Sequence, residues 1–168
     1  MILSNYWKWL NAILTANPTS SEYYDPASDI GLKDLNGATA YVSLSSSDAT
    51  RRYRVRNIND GSVRVGNGNG EITADDYAMS GDITDNISNL NYSINSAGTD
   101  EGLNRTIAIS GINNTANNIT ITEVGYCKYI EAEQHDSAQV LFAKVQLSEP
   151  VLVAAGGNFL INLSWIEA

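Results

Sequence analysis

Side chains suited to catalysis are scarce in this chain of 168 residues, which holds one histidine, His135, and one cysteine, Cys127. His135 lies in Glu131-Ala132-Glu133-Gln134-His135-Asp136-Ser137. Ser137 and Asp136 beside it suggest a triad, yet triad members converge in space from separated positions, and the chain has no Gly-x-Ser-x-Gly elbow. His135 therefore reads as a solvated loop residue. Cys127, being alone, closes no disulfide within the chain and reads as a small buried hydrophobe, with nothing to argue for an oxidising compartment. One Cys and one His do not by themselves close a zinc site. No pair of carboxylates stands out for glycoside hydrolysis. The expectation is a protein that is not an enzyme, with no catalytic residue, metal or cofactor.

Three clusters invite a binding role instead. Four of the ten basic residues fall at Arg51, Arg52, Arg54 and Arg56, and the last three share one side of a predicted strand. Arginine forks match phosphate oxygens. With 10 basic against 19 acidic residues the net charge is −9, a surface that repels nucleic acid and anionic membranes. Arg52, Arg54 and Arg56 are accordingly expected to meet carboxylates of the same sheet or of a neighbouring subunit. Gly66-Asn67-Gly68-Asn69-Gly70 is rich enough in glycine to cradle phosphate, but lacks the following helix and the spacing that task requires. It reads as a flexible hairpin turn. Asp75, Asp76, Asp82 and Asp85 lack the Asp-x-Asp-x-Asp-Gly order and distal Glu of a calcium loop.

The elements that must position these residues are mostly strands. Hydrophobic residues make up 43% and charged ones only 17%, and Asn, Ser, Thr and Gly are abundant, a profile of short strands and turns. Alternation predicts strands at 38–44, 52–57, around Val63 and Val65, at 89–95 (Leu90, Tyr92 and Ile94 on one face), at 105–110 (Ile107, Ile109) and at 119–126. In 140–147, Leu141, Ala143, Val145 and Leu147 are expected inward, with Lys144 and Gln146 outward. In 158–166 the inward set is Phe159, Ile161, Leu163 and Trp165. Pro150 and Gly156-Gly157 between these two predict a corner followed by a hairpin. Glu123 falls at a buried parity, so a bulge at Gly125 is expected to turn it outward. Thr73-Ala74-Asp75-Asp76 predicts a capped helical turn through Met79.

The convincing helix is residues 2–14, with an apolar stripe of Leu3, Tyr6, Trp7, Leu10, Ile13 and Leu14 that must pack on something. It stops before Asn17-Pro18. Residues 18–37 show no periodicity and read as a linker, in which Tyr23-Tyr24 pins the loop to the domain surface. The expected organisation is an amphipathic helix over 1–17 as attachment element, a linker over 18–37, and an antiparallel β-sandwich or jelly-roll-like domain over 38–168. Lys8 and Asn11 interrupt any signal peptide, and no apolar run of about 18 residues spans a membrane; a soluble protein without an export address is expected. Asn-x-Ser/Thr occurs six times, which so much Asn, Ser and Thr explains.

Two parts of the chain carry a family likeness. Arg64-Val65-Gly66-Asn67-Gly68 with Thr73-Ala74-Asp75-Asp76-Tyr77-Ala78-Met79 resembles a turn and an Asp-Tyr-x-Leu segment of small virion proteins of tailed bacteriophages, with Met79 in place of Leu. Residues 119–126, 140–147, Pro150-Val151 and Ala155-Gly156 are similar to their Thr-Glu-Val-Gly-Leu strand, Leu-x-Ala-Arg strand and Pro-Val, Ala-Gly corner, with Tyr126 in place of Leu and Lys144 in place of Arg. The likeness covers a little over half of the chain, from Arg64 onward, and its motifs are structural. It implies a non-enzymatic building block of the virion, in capsid, neck or tail, made in the host cytoplasm. Its partners would be copies of itself and other virion proteins, through Leu3, Tyr6, Trp7, Leu10, Ile13, Leu14 and the arginine face, with no nucleic acid and no membrane. The alternative is a carbohydrate- or receptor-binding module of a phage fibre, which would display a platform of coplanar aromatic rings.

Overall fold

A computed structural model describes residues 1–15, 31–41, 61–99, 102–131 and 137–166, with the backbone alone described at 9, 11–15, 40–41, 95–99, 102–105, 130–131, 137–138 and 165–166. The architecture is mainly β, with two three-stranded sheets, a two-stranded one and one short α-helix among the described residues, consistent with a β-sandwich. The chain divides into two compact units, one of Met1–Gly61, Gly70–Met79 and Gly125–Val145, the other of Ser62–Asn69, Ser80–Val124 and Gln146–Ala168. Among the described residues no helix is long and apolar enough to cross a membrane.

The second unit is built on alternation. Strands β3 (Gly61–Gly66), β6 (Ile119–Glu131) and β7 (Ser137–Val153) form one sheet in the order β3-β6-β7. Strands β4 (Ile87–Thr99), β5 (Gly102–Asn113) and β8 (Asn158–Ile166) form the other, in the order β4-β5-β8. Because successive side chains point to opposite faces, Val63 and Val65 are buried on either side of Arg64, and Phe159 and Ile161 are buried while Leu160 is exposed. These residues join Ile87, Ile109, Ile121, Val124 and Val153 in one core, with Leu90, Tyr92, Ile107, Leu147 and Leu163 packed against it. Burying each large apolar side chain contributes about 1.5–3 kcal/mol before ordering costs. Asn89 takes a positive φ of 52° where the β4–β5 register slips between Ser88 and Asn91; Asn tolerates that left-handed conformation, which a bulge uses.

The expected hairpin after Pro150 does not form. Residues 137–153 make one strand through Pro150, and β8 pairs antiparallel with β5 from Asn104↔Ile166 to Ile112↔Asn158, so the corner carries the chain from one sheet to the other. Asn113, at the end of β5, explains the route. Its buried amide donates to the carbonyls of Asn117 at 2.8 Å and Ala154 at 3.0 Å, while its backbone N–H donates to Gly157 O at 2.9 Å. Gly156, at φ 67°, makes the reversal that such a φ favours in glycine.

In the first unit, α1 (Ser4–Thr15) begins two residues later than its apolar periodicity predicts. Residues 1–3 are extended: Leu3 N donates to Phe142 O at 2.9 Å, Lys144 N donates to Met1 O at 3.0 Å, and Ile2 bridges Ala143. β1 (Gly31–Lys33), inside the expected linker, pairs antiparallel with β2 (Thr39–Tyr41), inside the strand expected at 38–44. Asp34 closes their turn by accepting from the N–H groups of Asn36 and Ala38, both at 2.9 Å, the local carboxylate bonding that favours Asp in turns. A small core gathers Leu3, Met79, Cys127 and Leu141, with Leu35 and Ile72 against it.

Candidate functional site

The residues singled out in the sequence are distributed unevenly. Arg52, Arg54, Arg56, His135 and Asp136 lie outside the described residues, and of Ser137, Ile13 and Leu14 only the backbone is described. Cys127 is fully buried in the small core. The apolar stripe of α1 is split. Leu3 is fully buried against its own unit, which corrects the expectation that it faces another chain: the extended start of the chain aims it inward beside β7. Tyr6 stacks edge-on against Phe142, with ring centroids 5.9 Å apart and planes 75° apart. Leu10 is half-buried, and Trp7 remains 57% exposed. Tyr6 and Trp7 meet at 76°, an edge-to-face pair and not the flat platform on which a sugar ring stacks.

What anchors α1 is a residue that periodicity passes over. Asn5 is buried; its side-chain amide donates to Lys33 O at 2.9 Å, and its Oδ1 accepts from Lys33 N at 3.0 Å. This pair satisfies both the donor and the acceptor of one β1 residue, as a neighbouring strand would. Ser4 N donates to Ala74 O at 2.7 Å, and Ser4 Oγ donates to Asp75 at 3.1 Å.

Glu123 is the main correction in the second unit. It is fully buried, so no bulge turns it outward. Its Oε1 accepts from the backbone N–H groups of Ser80 at 2.7 Å and Gly81 at 3.2 Å. A Cβ on Gly66 would run into the Glu123 side chain, and one on Gly68 would run into Ser80 and crowd the carboxylate. A buried carboxylate is tolerated when donors meet it, and here the two amides and the two missing side chains make the niche. The glycine run is accordingly held in place and not a flexible turn. Asn67 N donates to Gly81 O at 2.8 Å, Thr122 Oγ1 donates to Gly68 O, and Gln146 donates to Gly68 O at 3.3 Å and Thr122 O at 2.9 Å. Arg64 Nε pairs with Asp82 at 2.6 Å. Burial opposes ionisation of Asp82, but hydrogen bonds from Thr84 and Arg64 outweigh it and hold the carboxyl below its usual value.

Lys144 breaks the predicted parity of β7 in the first unit, where Leu141 is buried as expected. Lys144 is 1% exposed, whereas Val145, expected inward, is among the exposed residues. The ammonium donates to Asp76 Oδ2 at 3.1 Å and to Ala78 O at 3.4 Å, so the segment around Asp76 makes a buried position hospitable to a cation. That segment is a turn and not the expected helical one, with Thr73 Oγ1 donating to Asp76 Oδ1 at 2.7 Å. Burial disfavours the Asp76 carboxylate, but the Thr73 hydrogen bond and then Lys144 outweigh this and lower its pKa.

Glu123 accepts from backbone amides, Lys144 donates to Asp76, and Asn113 donates to carbonyls. Among the described residues no group of three or more His, Cys, Asp or Glu is placed to hold a metal. Asp76 is engaged by Lys144 and Asp82 by Arg64. No family model, curated protein or solved structure matches the chain.

Proposed function

We propose that the protein is a non-enzymatic structural component of a bacteriophage virion, in capsid, neck or tail, working through contacts with copies of itself and with neighbouring virion proteins. The observation that carries this reading is how the buried polar groups are spent. Glu123 on two backbone amides, Asn113 on the carbonyls of a corner, and Lys144 on Asp76 are struts that hold turns in place. The motif likeness from Arg64 onward supports the virion assignment. In this reading the two sheets belong to a jelly-roll-like domain, and the exposed Trp7 of α1, not Leu3, is the anchor offered to a neighbour. Copies made in the host cytoplasm would be incorporated during assembly. Mass spectrometry of purified particles is the test. A fixed copy number per particle is expected, reduced by Trp7→Ser; absence of the protein from purified particles would refute the assignment.

A further inference from the structure

Each of the two three-stranded sheets ends in edge strands among the described residues, and three of these four edges carry a device against pairing with another chain. Natural edges are blunted by charge, proline, bulges or shortness. Strand β3 is six residues long and carries Arg64, β7 carries Glu149 and Pro150, and β4 is bulged at Asn89. Strand β8 has none of these. Among the described residues it is an edge of nine residues, Asn158–Ile166, with no charge, no proline and an unbroken register against β5. Leu160 on its outward face is 62% exposed.

We infer that β8 is a self-association edge, pairing antiparallel with β8 of a second copy across a two-fold axis centred on Asn162. A two-fold antiparallel pair requires a strand complementary to itself, and two observations select a second copy as occupant. Centring on Asn162 overlaps all nine residues and sets the inward Ile161 beside the inward Leu163 of the mate, so the apolar row of one sheet continues into the next. The outward surface beside the edge is neutral: Leu160, Asn162 and Ser164 are in register with Ser110, Ala108 and Thr106 of β5, and Ser110 and Ala108 with Asn91 and Ser93 of β4. In a chain of net charge −9, two copies repel least where they meet through a surface without ionisable groups. The product is a continuous six-stranded sheet, β4-β5-β8 followed by its two-fold mate.

This inference rests on the self-association part of the proposed function and names its surface. Sedimentation velocity of the full chain over a wide concentration range should show a species of twice the chain mass. The double variant Leu160→Lys, Asn162→Lys, both outward positions, should sediment at the single-chain mass with unchanged circular dichroism and thermal transition. Under mild oxidation Asn162→Cys should give a covalent dimer, because directly opposed residues have Cβ atoms about 4.5–5.5 Å apart. Leu160→Cys should not, since its mate in that register is Ser164 of the partner subunit. A protein of single-chain mass at every concentration overturns the inference. So does an oligomer that survives the double variant and gives no covalent dimer when Asn162→Cys is oxidised; if that oligomer is lost with Trp7→Ser, self-association stands and its surface is α1.

Discussion

The two units differ in how far polar groups enter their interiors. In the second, nine buried apolar residues from β3 to β8 share one core and the buried polar residues are Glu123 and Asn113, whereas among the described residues the first buries Leu3, Leu32, Met79, Cys127, Val140, Leu141 and Phe142 together with the polar Asn5, Lys128 and Lys144. Apolar burial is non-directional and proportional to area, so the apolar core of the second unit should tolerate substitutions that keep volume and parity. Buried hydrogen bonds and ion pairs are directional and costly when half-broken, so the first should be sensitive to changes that leave its volume intact.

The sharpest way to test the difference is the largest effect. Phe159→Ala in the apolar core should lower stability by about 3–5 kcal/mol, measured by urea unfolding, while Phe159→Leu should cost under about 1.5 kcal/mol. Leu3→Ala should cost about 2–4 kcal/mol because Leu3 is fully buried in the smaller core. A change near zero would show that this core does not depend on the chain's first residues. Asp76→Ala should cost about 1–3 kcal/mol by leaving the Lys144 ammonium buried without its carboxylate. Lys144→Met should cost less, because the Asp76 side chain, 20% exposed against 1% for Lys144, still reaches water. The reverse order would mean that the lysine stem, not its charge, carries the contact.

The smallest effect is on acid stability. Asp76 and Asp82 have folded pKa values below the ordinary one. The unfolded chain therefore takes up their protons first as pH falls, and the stabilisation they supply is fully present above the unfolded value of about 3.9. It is lost as pH falls from there through the lower folded values. Urea midpoints should thus be insensitive to these two groups between about pH 5 and 7 and fall below about pH 4, less steeply in Asp82→Asn. An unchanged acid slope in that variant would detach Arg64–Asp82 from stability.

Where parity alone governs, the sequence was legible. Val63 and Val65, Ile107 and Ile109, and Phe159 with Ile161 lie on the faces their alternation predicts, because one face of a half-buried strand must leave water and the period of two admits a single choice. The same reasoning misplaced Lys144 and passed over Asn5, and Glu123, inward by parity, was turned outward only by the bulge expected at Gly125. Each is polar at a buried position, and the groups that make burial possible come from distant segments: Ser80 and Gly81 for Glu123, Asp76 for Lys144, Lys33 for Asn5. The available signals were faint. Glu123 at an inward parity is one, and a Gly-x-Gly run with no ligand to cradle is another.

By itself the sequence determined the β class, the apolar faces of β3, β5 and β8, the reversal at Gly156-Gly157 and the poverty of catalytic groups, since each depends on residue type and near-neighbour spacing. The tertiary structure decided that β8 joins β5 and not β7, that Leu3 turns inward, and which charged residues are buried. Strand partners and the solvation of a buried charge depend on groups brought together from far along the chain, and no local pattern encodes which distant amide or carboxylate will be there to meet them.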